Sequence, residues 1–304
     1  VVWRGSAMGA LASMTLLHPD RAKARALLAD CLAEIARLEG ILSLYRPDSA
    51  IVRLNAAGEL REPPQELVEL LSFGLALSRA SGGAFDPTVQ PLYRLYADHF
   101  ASPGAAPGGP APEAIARVLR VVDFDAVEVD ADRIRLRRPG MALTLNGIAQ
   151  GYATDRVADQ LRRAGMRDVL IDLGEARALG RRPGGSAWRA AVADPRRPET
   201  ALLELPLDEG GGALPALATS AGYGTRFGPD PRIHHLFDPH SGRSANAWLS
   251  VSVAAERATL ADGLSTTLAV SPRGRAAALL REHASTRAWL VDPAGQLREI
   301  GAGA

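Results

Sequence analysis

The chain has 304 residues, 47% of them hydrophobic and 23% charged, an ordinary composition for a globular protein. Thirty-five basic side chains against 34 acidic ones leave a formal charge of +1, so no whole-molecule field draws it toward nucleic acid or an anionic membrane. No run reaches the roughly 18 apolar residues of a spanning helix, and a single cysteine excludes a disulfide framework within the chain.

MGALASMTLLHP (8–19) runs through small and apolar residues to a proline and predicts an opening strand. An amphipathic helix follows over 20–42, with Leu27, Cys31, Ile35 and Leu38 at helical spacing and Cys31 as a buried structural thiol. LSLYRPDSAIVRLNAAG (42–58) reads as a loop and a short turn of helix. PPQELVELLSFGLALSRASGG (63–83) reads as a helix opened after prolines and ended by Gly82 and Gly83. ASPGAAPGGPAP (101–112) is a Pro/Gly/Ala-rich surface loop inside one domain spanning 1–304, because coherent motifs flank it. AVEVDADRIRLRRPGMALTLN (126–146) alternates around a turn and predicts a hairpin, GYATDRVADQLRRAGM (151–166) a helix, and DVLIDLG (168–174) a buried strand. WRAAVADP, ALLELPLD, LATSAGYGTRF, HHLFDPHSG and WLSVSVAAE supply further strands and turns. Helices at 258–270 and 273–284 and a strand pair around VDPAGQ close the chain. Strands in runs with interspersed helices argue for an α+β fold rather than βαβ alternation.

Five segments carry chemically suggestive residues. In SGGAFDPTVQPL, Asp86 follows a glycine pair, which suits either an Asx-type turn or close backbone approach to a ligand. LTLNGIAQGYATD (143–155) reads as strand, Gly-flanked turn and helix start, a connection whose free amides suit anions. It is neither a dinucleotide fingerprint nor a P-loop. IHHLFDPHSGR (233–243) holds three histidines and Asp238 at a spacing that only loosely fits zinc. A surface turn, or one histidine on a pyrophosphate or leaving group, is the better reading. LATSAGYGTRF sets Thr219 and Ser220 before a Gly-rich turn without the surroundings of a nucleophilic serine. In ADGLSTTLAV (261–270), Asp262 and Thr266 share one helix face, about 5–6 Å apart at Cβ. They could be a helix cap with a back-bonded hydroxyl, or oxygen donors to a hard cation.

Taken in order, MGALASMTL, LSLYRPDSAIVRLN, SGGAFDPTVQPL, LNGIAQGYATDRVADQLRRAG, LATSAGY, HHLFDPHSG and ADGLSTT resemble the ApbE family, the FAD:protein FMN transferases, over nearly the whole chain. The resemblance implies a T-fold-like α+β architecture of mixed and antiparallel sheets with helices packed on them. It also implies cleavage of FAD with Mg²⁺ and transfer of FMN to a threonine or serine hydroxyl of an acceptor protein, releasing AMP. The acceptor would be an exported or membrane-bound redox subunit. Periplasmic location, or anchoring on the extracytoplasmic side, is implied too, with the targeting segment absent from a chain that opens on VVWRGS. Residue by residue, the resemblance makes Met8, Tyr45, Ala84, Phe85, Asp86 and His235 FAD contacts. It makes Asp262, Thr266 and the Gly147 carbonyl ligands of the Mg²⁺, with Asp262 and His235 as the catalytic pair.

This chain also departs from the family pattern. Thr144 stands where an acidic FAD contact is common, Gln150 where a lysine is common, and Gly174–Glu175 where the family has Gly-Gly. Gln150 donates a hydrogen bond but supplies no charge, and Arg156, close in sequence, is the candidate to compensate in part. DGLSTT resembles a flavinylation acceptor, yet it occupies the family's metal position. Two other activities fit the same residues: an FAD-binding carrier without transferase activity, and an FAD pyrophosphatase giving FMN and AMP. Asp86 and Asp155 are the candidates to take the acceptor's hydroxyl proton.

Overall fold

The computed structural model describes residues 1–210, 212–283 and 285–301. Two strands open it, β1 (Val2–Ala7) and β2 (Ala10–Leu17), joined by a two-residue turn at Met8 and Gly9. Both turn residues have positive φ, 52° and 79°, which is what a tight hairpin needs to follow the right-handed twist of its strands. Glycine adopts that conformation freely; for Met8 it is strained by about 1 kcal/mol or more.

Helix α1 (Arg21–Leu42) is capped by Asp20, whose Oδ1 accepts the amides of Ala22 and Lys23, and it buries Cys31, Ile35 and Leu38. Burial pushes the Cys31 thiol up to about 12, as suits an inert core residue. Then come α2 (Ala50–Ala57), β3 (Glu59–Arg61) and α3 (Gln65–Ser81), which ends on the left-handed Gly82 as the sequence predicts. Next are α4 (Gln90–Ala101) and α5 (Pro112–Leu119), with the Pro/Gly/Ala-rich loop between them, and then β4 (Val127–Val129) and β5 (Arg133–Leu136). The chain continues through α6 (Ala149–Arg163), β6 (Asp168–Asp172), β7 (Ala176–Leu179), β8 (Trp188–Asp194), β9 (Arg197–Leu207) and β10 (Ala216–Ala221). The short β11 (Phe237–Asp238) and β12 (Arg243–Ser244) precede β13 (Ser250–Ala255), α7 (Ala258–Val270), α8 (Ala276–Arg281), β14 (Arg287–Val291) and β15 (Leu297–Gly301).

The main sheet has eight strands in the order β1-β2-β6-β7-β10-β13-β14-β15, antiparallel at every pairing. This is the α+β arrangement expected. Its strands alternate between two covered faces. Met14, Leu16, Val169, Ile171, Val251, Val253 and Leu290 face a large core shared with Leu38 of α1, Val157 and Leu161 of α6, and Leu264 and Leu268 of α7. On the other face Leu217 and Trp289 pack with Trp188, Val192 and Leu207 of the β8–β9 hairpin.

The sequence reading departs from the structure in a few places. Residues 143–145 form no strand: Asn55 of α2 donates to the Leu143 carbonyl (2.8 Å) and accepts its amide (2.7 Å), and the Thr144 amide bonds to the Pro87 carbonyl (2.8 Å). Side-chain and loop partners thus replace a ladder. The helix expected at 273–284 is a single 3₁₀ turn followed by α8, and residue 284 lies outside the described residues. β1, β7 and α4 carry no clear periodic signal. β7 is four residues long and α4 fully buries only Gln90, Leu92 and Tyr96.

Helices α6 and α7 cross closely. A Cβ at Gly151 would overlap the Ala258 carbonyl and lie 2.8 Å from Cβ of Asp262. One turn along α6, the buried Asp155 caps α7 from outside: Oδ1 accepts the Ala258 amide (2.9 Å) and Oδ2 the amide and hydroxyl of Thr259 (2.9 and 2.6 Å). Arg177 of β7 ion-pairs with Asp155 in the interior, and Arg257 does so from the surface at 3.2 Å.

Between β10 and β13 the chain loops back through a bridge of Arg226 with His234, whose buried ring accepts the Leu236 amide at 3.3 Å. Burial, followed by His235 and Arg226, pushes His234 down to about 4, whereas an exposed imidazole titrates near 6.5. The folded state therefore binds fewer protons between those values. This group's contribution is complete above about pH 6.5 and is lost as pH falls through about 4.

Gly151→Ala is expected to destabilise the fold by about 2–3 kcal/mol, measured by urea denaturation, because neither helix backbone can yield without losing the Asp155 bonds. In the same assay, the stability of wild type relative to His234→Asn is expected to fall by about 2–3 kcal/mol between pH 7 and pH 4.5.

Candidate active site

A cavity of about 590 Å³ is lined by the β1–β2 turn, the segments after α1 and α3, the stretch leading into α6, the β6–β7 turn, the end of β10, the segment around β11 and one face of α7. That volume suits a small-molecule ligand. Every residue singled out from the sequence as a contact or ligand lines it: Met8, Tyr45, Ala84, Phe85, Asp86, Thr144, Gly147, Gln150, His235, Asp262 and Thr266.

The strained Met8 is held from both sides. Glu39 of α1 accepts its amide at 2.8 Å, and Gln150 donates to its carbonyl at 3.3 Å. Gln150 thus fixes the turn. Arg156 does not take over a lysine's charge in the cavity. It lies 3.6 Å from Glu34 and 3.9 Å from Glu66, outside the lining, because those two acids on α1 and α3 attract it. Tyr45 is 74% exposed. Asp86 makes the Asx-type turn expected, accepting the Thr88 amide (2.7 Å) and hydroxyl (2.6 Å), and burial pushes it up to about 6. Ala84 and Phe85 are buried beside it. Thr144 keeps its hydroxyl on the Asn146 amide at 3.2 Å.

His235 donates from Nδ1 to the Thr225 carbonyl at 3.2 Å, since a carbonyl can only accept. That assigns the free lone pair of the neutral ring to Nε2, and burial lowers the ring's pKa. His234 is the structural neighbour described above, and His240 sits exposed in its turn with Asp238.

The oxygen cluster gathers around α7. Asp262 lies in mid-helix and is only 3% exposed, so it caps nothing; Asp155 does that. Its Oδ2 accepts the Gly151 amide at 3.0 Å. This first-turn amide of α6 is therefore committed to a carboxylate and not free for an anion. Thr266 is not back-bonded: its hydroxyl pairs with Ser220 of β10 at 3.0 Å, and Ser220 pairs with Ser265 at 2.8 Å. Gly147 lies against it, since a Cβ there would be 3.0 Å from Thr266 Oγ1. Burial raises the pKa of Asp262 above the ordinary carboxylate range, and among the described residues no Arg, Lys or His pairs with it. A carboxylate and hydroxyls with no balancing cation, beside the Gly147 backbone, form a donor set that fits a hard divalent ion. No three His, Cys, Asp or Glu side chains cluster as a cage among the described residues, so the donor set is an open one, with positions left for water or a ligand's oxygens.

Sequence reasoning missed Tyr93 and Tyr223, which also line the cavity, and treated Glu175 only as a departure from the family pattern. Tyr93 sits in a helix whose signal is weak. Glu175 is buried, its Oε2 accepting the Thr219 amide at 3.1 Å, and burial and the charge of Asp262 raise its pKa. Asp155 is fully engaged in capping α7 and does not line the cavity.

Comparison with known proteins places this geometry. An "FAD:protein FMN transferase" from Treponema pallidum (strain Nichols) is 31% identical over 306 residues, covering 91% of this chain and 80% of the relative. The fold matches a crystal structure of the ApbE protein of Thermotoga maritima with a TM-score of 0.85 at 26% identity, covering 99% of this chain and 96% of that one. It matches the apo form of Pseudomonas stutzeri flavinyl transferase ApbE at 0.81 and 29% identity, covering 100% and 96%. The family model described as "ApbE family" spans residues 8–290, from the strained turn at Met8 to the penultimate strand, and with that span this chain belongs to the ApbE family.

Proposed function

We propose that this chain transfers FMN from FAD to a threonine or serine hydroxyl of an acceptor protein and releases AMP, with Mg²⁺ as its cofactor. What supports this most is the convergence of Met8, His235, Asp262 and Thr266, distant in sequence, on one cavity in a chain whose relatives carry the name FAD:protein FMN transferase. Asp262, Thr266 and the Gly147 carbonyl would hold the ion. When bound there, it supplies positive charge to the pyrophosphate oxygens and to the departing AMP phosphate.

The chain's own residues hold the reactants. Glu39 and Gln150 fix the Met8 turn against the flavin nucleotide. In the transfer, the acceptor oxygen bonds to the FMN phosphorus as the bond from that phosphorus to AMP breaks, and the hydroxyl proton must leave. The cavity offers two groups to take it: Nε2 of the neutral His235, and Asp86, ionised at neutral pH despite its rise to about 6. The acceptor is an exported or membrane-bound redox subunit, and the enzyme acts in the periplasm or anchored on the extracytoplasmic side, following the usual setting of the family. No helix among the described residues is long and apolar enough to cross a membrane.

Mass spectrometry of a threonine-bearing acceptor domain incubated with this protein, FAD and Mg²⁺ is expected to show an FMN adduct with matching AMP, both lost in EDTA. AMP with free FMN and no adduct would favour the pyrophosphatase, and intact bound FAD the carrier. Asp262→Asn keeps an acceptor for the Gly151 amide and is expected to lower transfer about a thousandfold or more, with the thermal melt retained. Unchanged transfer would remove Asp262 from the reaction.

A further inference from the structure

Glu175 is the carboxylate at the cavity that the chemistry above leaves without a task. It follows Gly174 in the β6–β7 turn and is 6% exposed. Its carbonyl accepts the Thr154 hydroxyl of α6 at 3.2 Å and its Oε2 the Thr219 amide of β10 at 3.1 Å, so both backbone and side chain are positioned. Glu175 lines the same cavity as Asp262, and Ser220, the residue after its partner Thr219, bonds to the Thr266 hydroxyl of the cation site at 3.0 Å. Among the described residues no cationic side chain pairs with either Glu175 or Asp262. Elsewhere this protein balances such a charge: the equally buried Asp155 faces Arg177 and Arg257. Two buried carboxylates left unmatched on one cavity carry a desolvation cost of several kcal/mol each. They would also repel an incoming diphosphate.

We propose that Glu175 is a second anionic partner of the divalent cation that Asp262 holds, so that this chain takes up the cation before the nucleotide arrives. The proposal rests on the cation site of the preceding section and adds to it a side chain and an order of binding. It also supplies a reason for Gln150: with two carboxylates to balance the ion, charge on that side chain is not required at the cavity, and it is free to hold the Met8 turn.

The test is a Mn²⁺ titration of the full chain followed by electron paramagnetic resonance, with and without FAD, on wild type, Glu175→Gln, Glu175→Asp and Asp262→Asn. Thermal melts in EDTA run alongside. Wild type is expected to bind Mn²⁺ without nucleotide, Glu175→Gln about tenfold or more weakly, and Asp262→Asn not at all. In EDTA, Glu175→Gln is expected to melt at or above wild type, because a buried charge has gone; a residue that only braces its turn would melt below. Should Glu175→Gln fail to fold, Glu175→Asp, which retracts the carboxylate by one methylene, is read instead, with a weakening of about threefold or more expected. Wild-type affinity in these Glu175 variants, alongside loss in Asp262→Asn, would overturn the proposal and leave the cation site standing. Binding by wild type only when FAD is present would overturn the order of binding. No binding in either condition would overturn the cation site as well.

Discussion

Asp155 reaches from α6 into the first turn of α7 and accepts two amides and a hydroxyl there, while Arg177 balances its charge from the sheet. The arrangement holds three elements in one relation: a helix, the helix it crosses, and the strand beneath both. Gly151 lets the crossing close to backbone distance. Opening a buried pair of this kind by removing one partner costs about 3–5 kcal/mol, so the register of α7 against α6 is well determined. Asp262 and Thr266 ride on that register, and so does the approach of Gly147 to the Thr266 hydroxyl. The acid that fastens the helices and the acid that faces the cavity thus sit on neighbouring, crossing helices, with opposite electrostatic settings.

That contrast runs through the molecule. A net charge of +1 says little about the cavity, where Asp86, Glu175 and Asp262 are all buried and burial raises the pKa of each. The guanidinium groups that could neutralise them are committed elsewhere, Arg177 and Arg257 to Asp155 and Arg156 to the acids of α1 and α3. Among the described residues no arginine or lysine lines the cavity to meet a diphosphate. The strained φ at Met8 belongs to the same economy of placement, since the two-residue turn presents a main-chain amide to Glu39 and a carbonyl to Gln150.

How much of this the sequence shows depends on the range of the interaction. The bounds of α7 and the pairing of Asp262 with Thr266 are legible because helical period is a local property. The end of α3 is legible in Gly82 for the same reason. Motif order places the cavity's lining, though each motif is ambiguous alone. What stays hidden is partner choice across the fold. Asp155 reads as a possible proton acceptor because nothing local marks it as a cap for a helix a hundred residues away. Arg156 reads as a substitute for a missing lysine because sequence neighbourhood does not reveal Glu34 and Glu66. The apolar run at 143–145 reads as a strand because Asn55, which satisfies its backbone, lies on another element.

The eight strands of the main sheet lie side by side in the order in which they occur along the chain. A ribosome releasing this polypeptide from its N-terminus therefore adds each strand to the outer edge of those already present, and no strand has to be threaded between earlier ones. The cavity obeys a different timetable. It needs Met8 from the first hairpin and Thr266 from a helix that precedes only the last two strands, so a nascent or truncated chain can build much of the sheet and still have nowhere to hold a flavin nucleotide. Structure accumulates gradually during synthesis, whereas the capacity to bind arrives late and in one step.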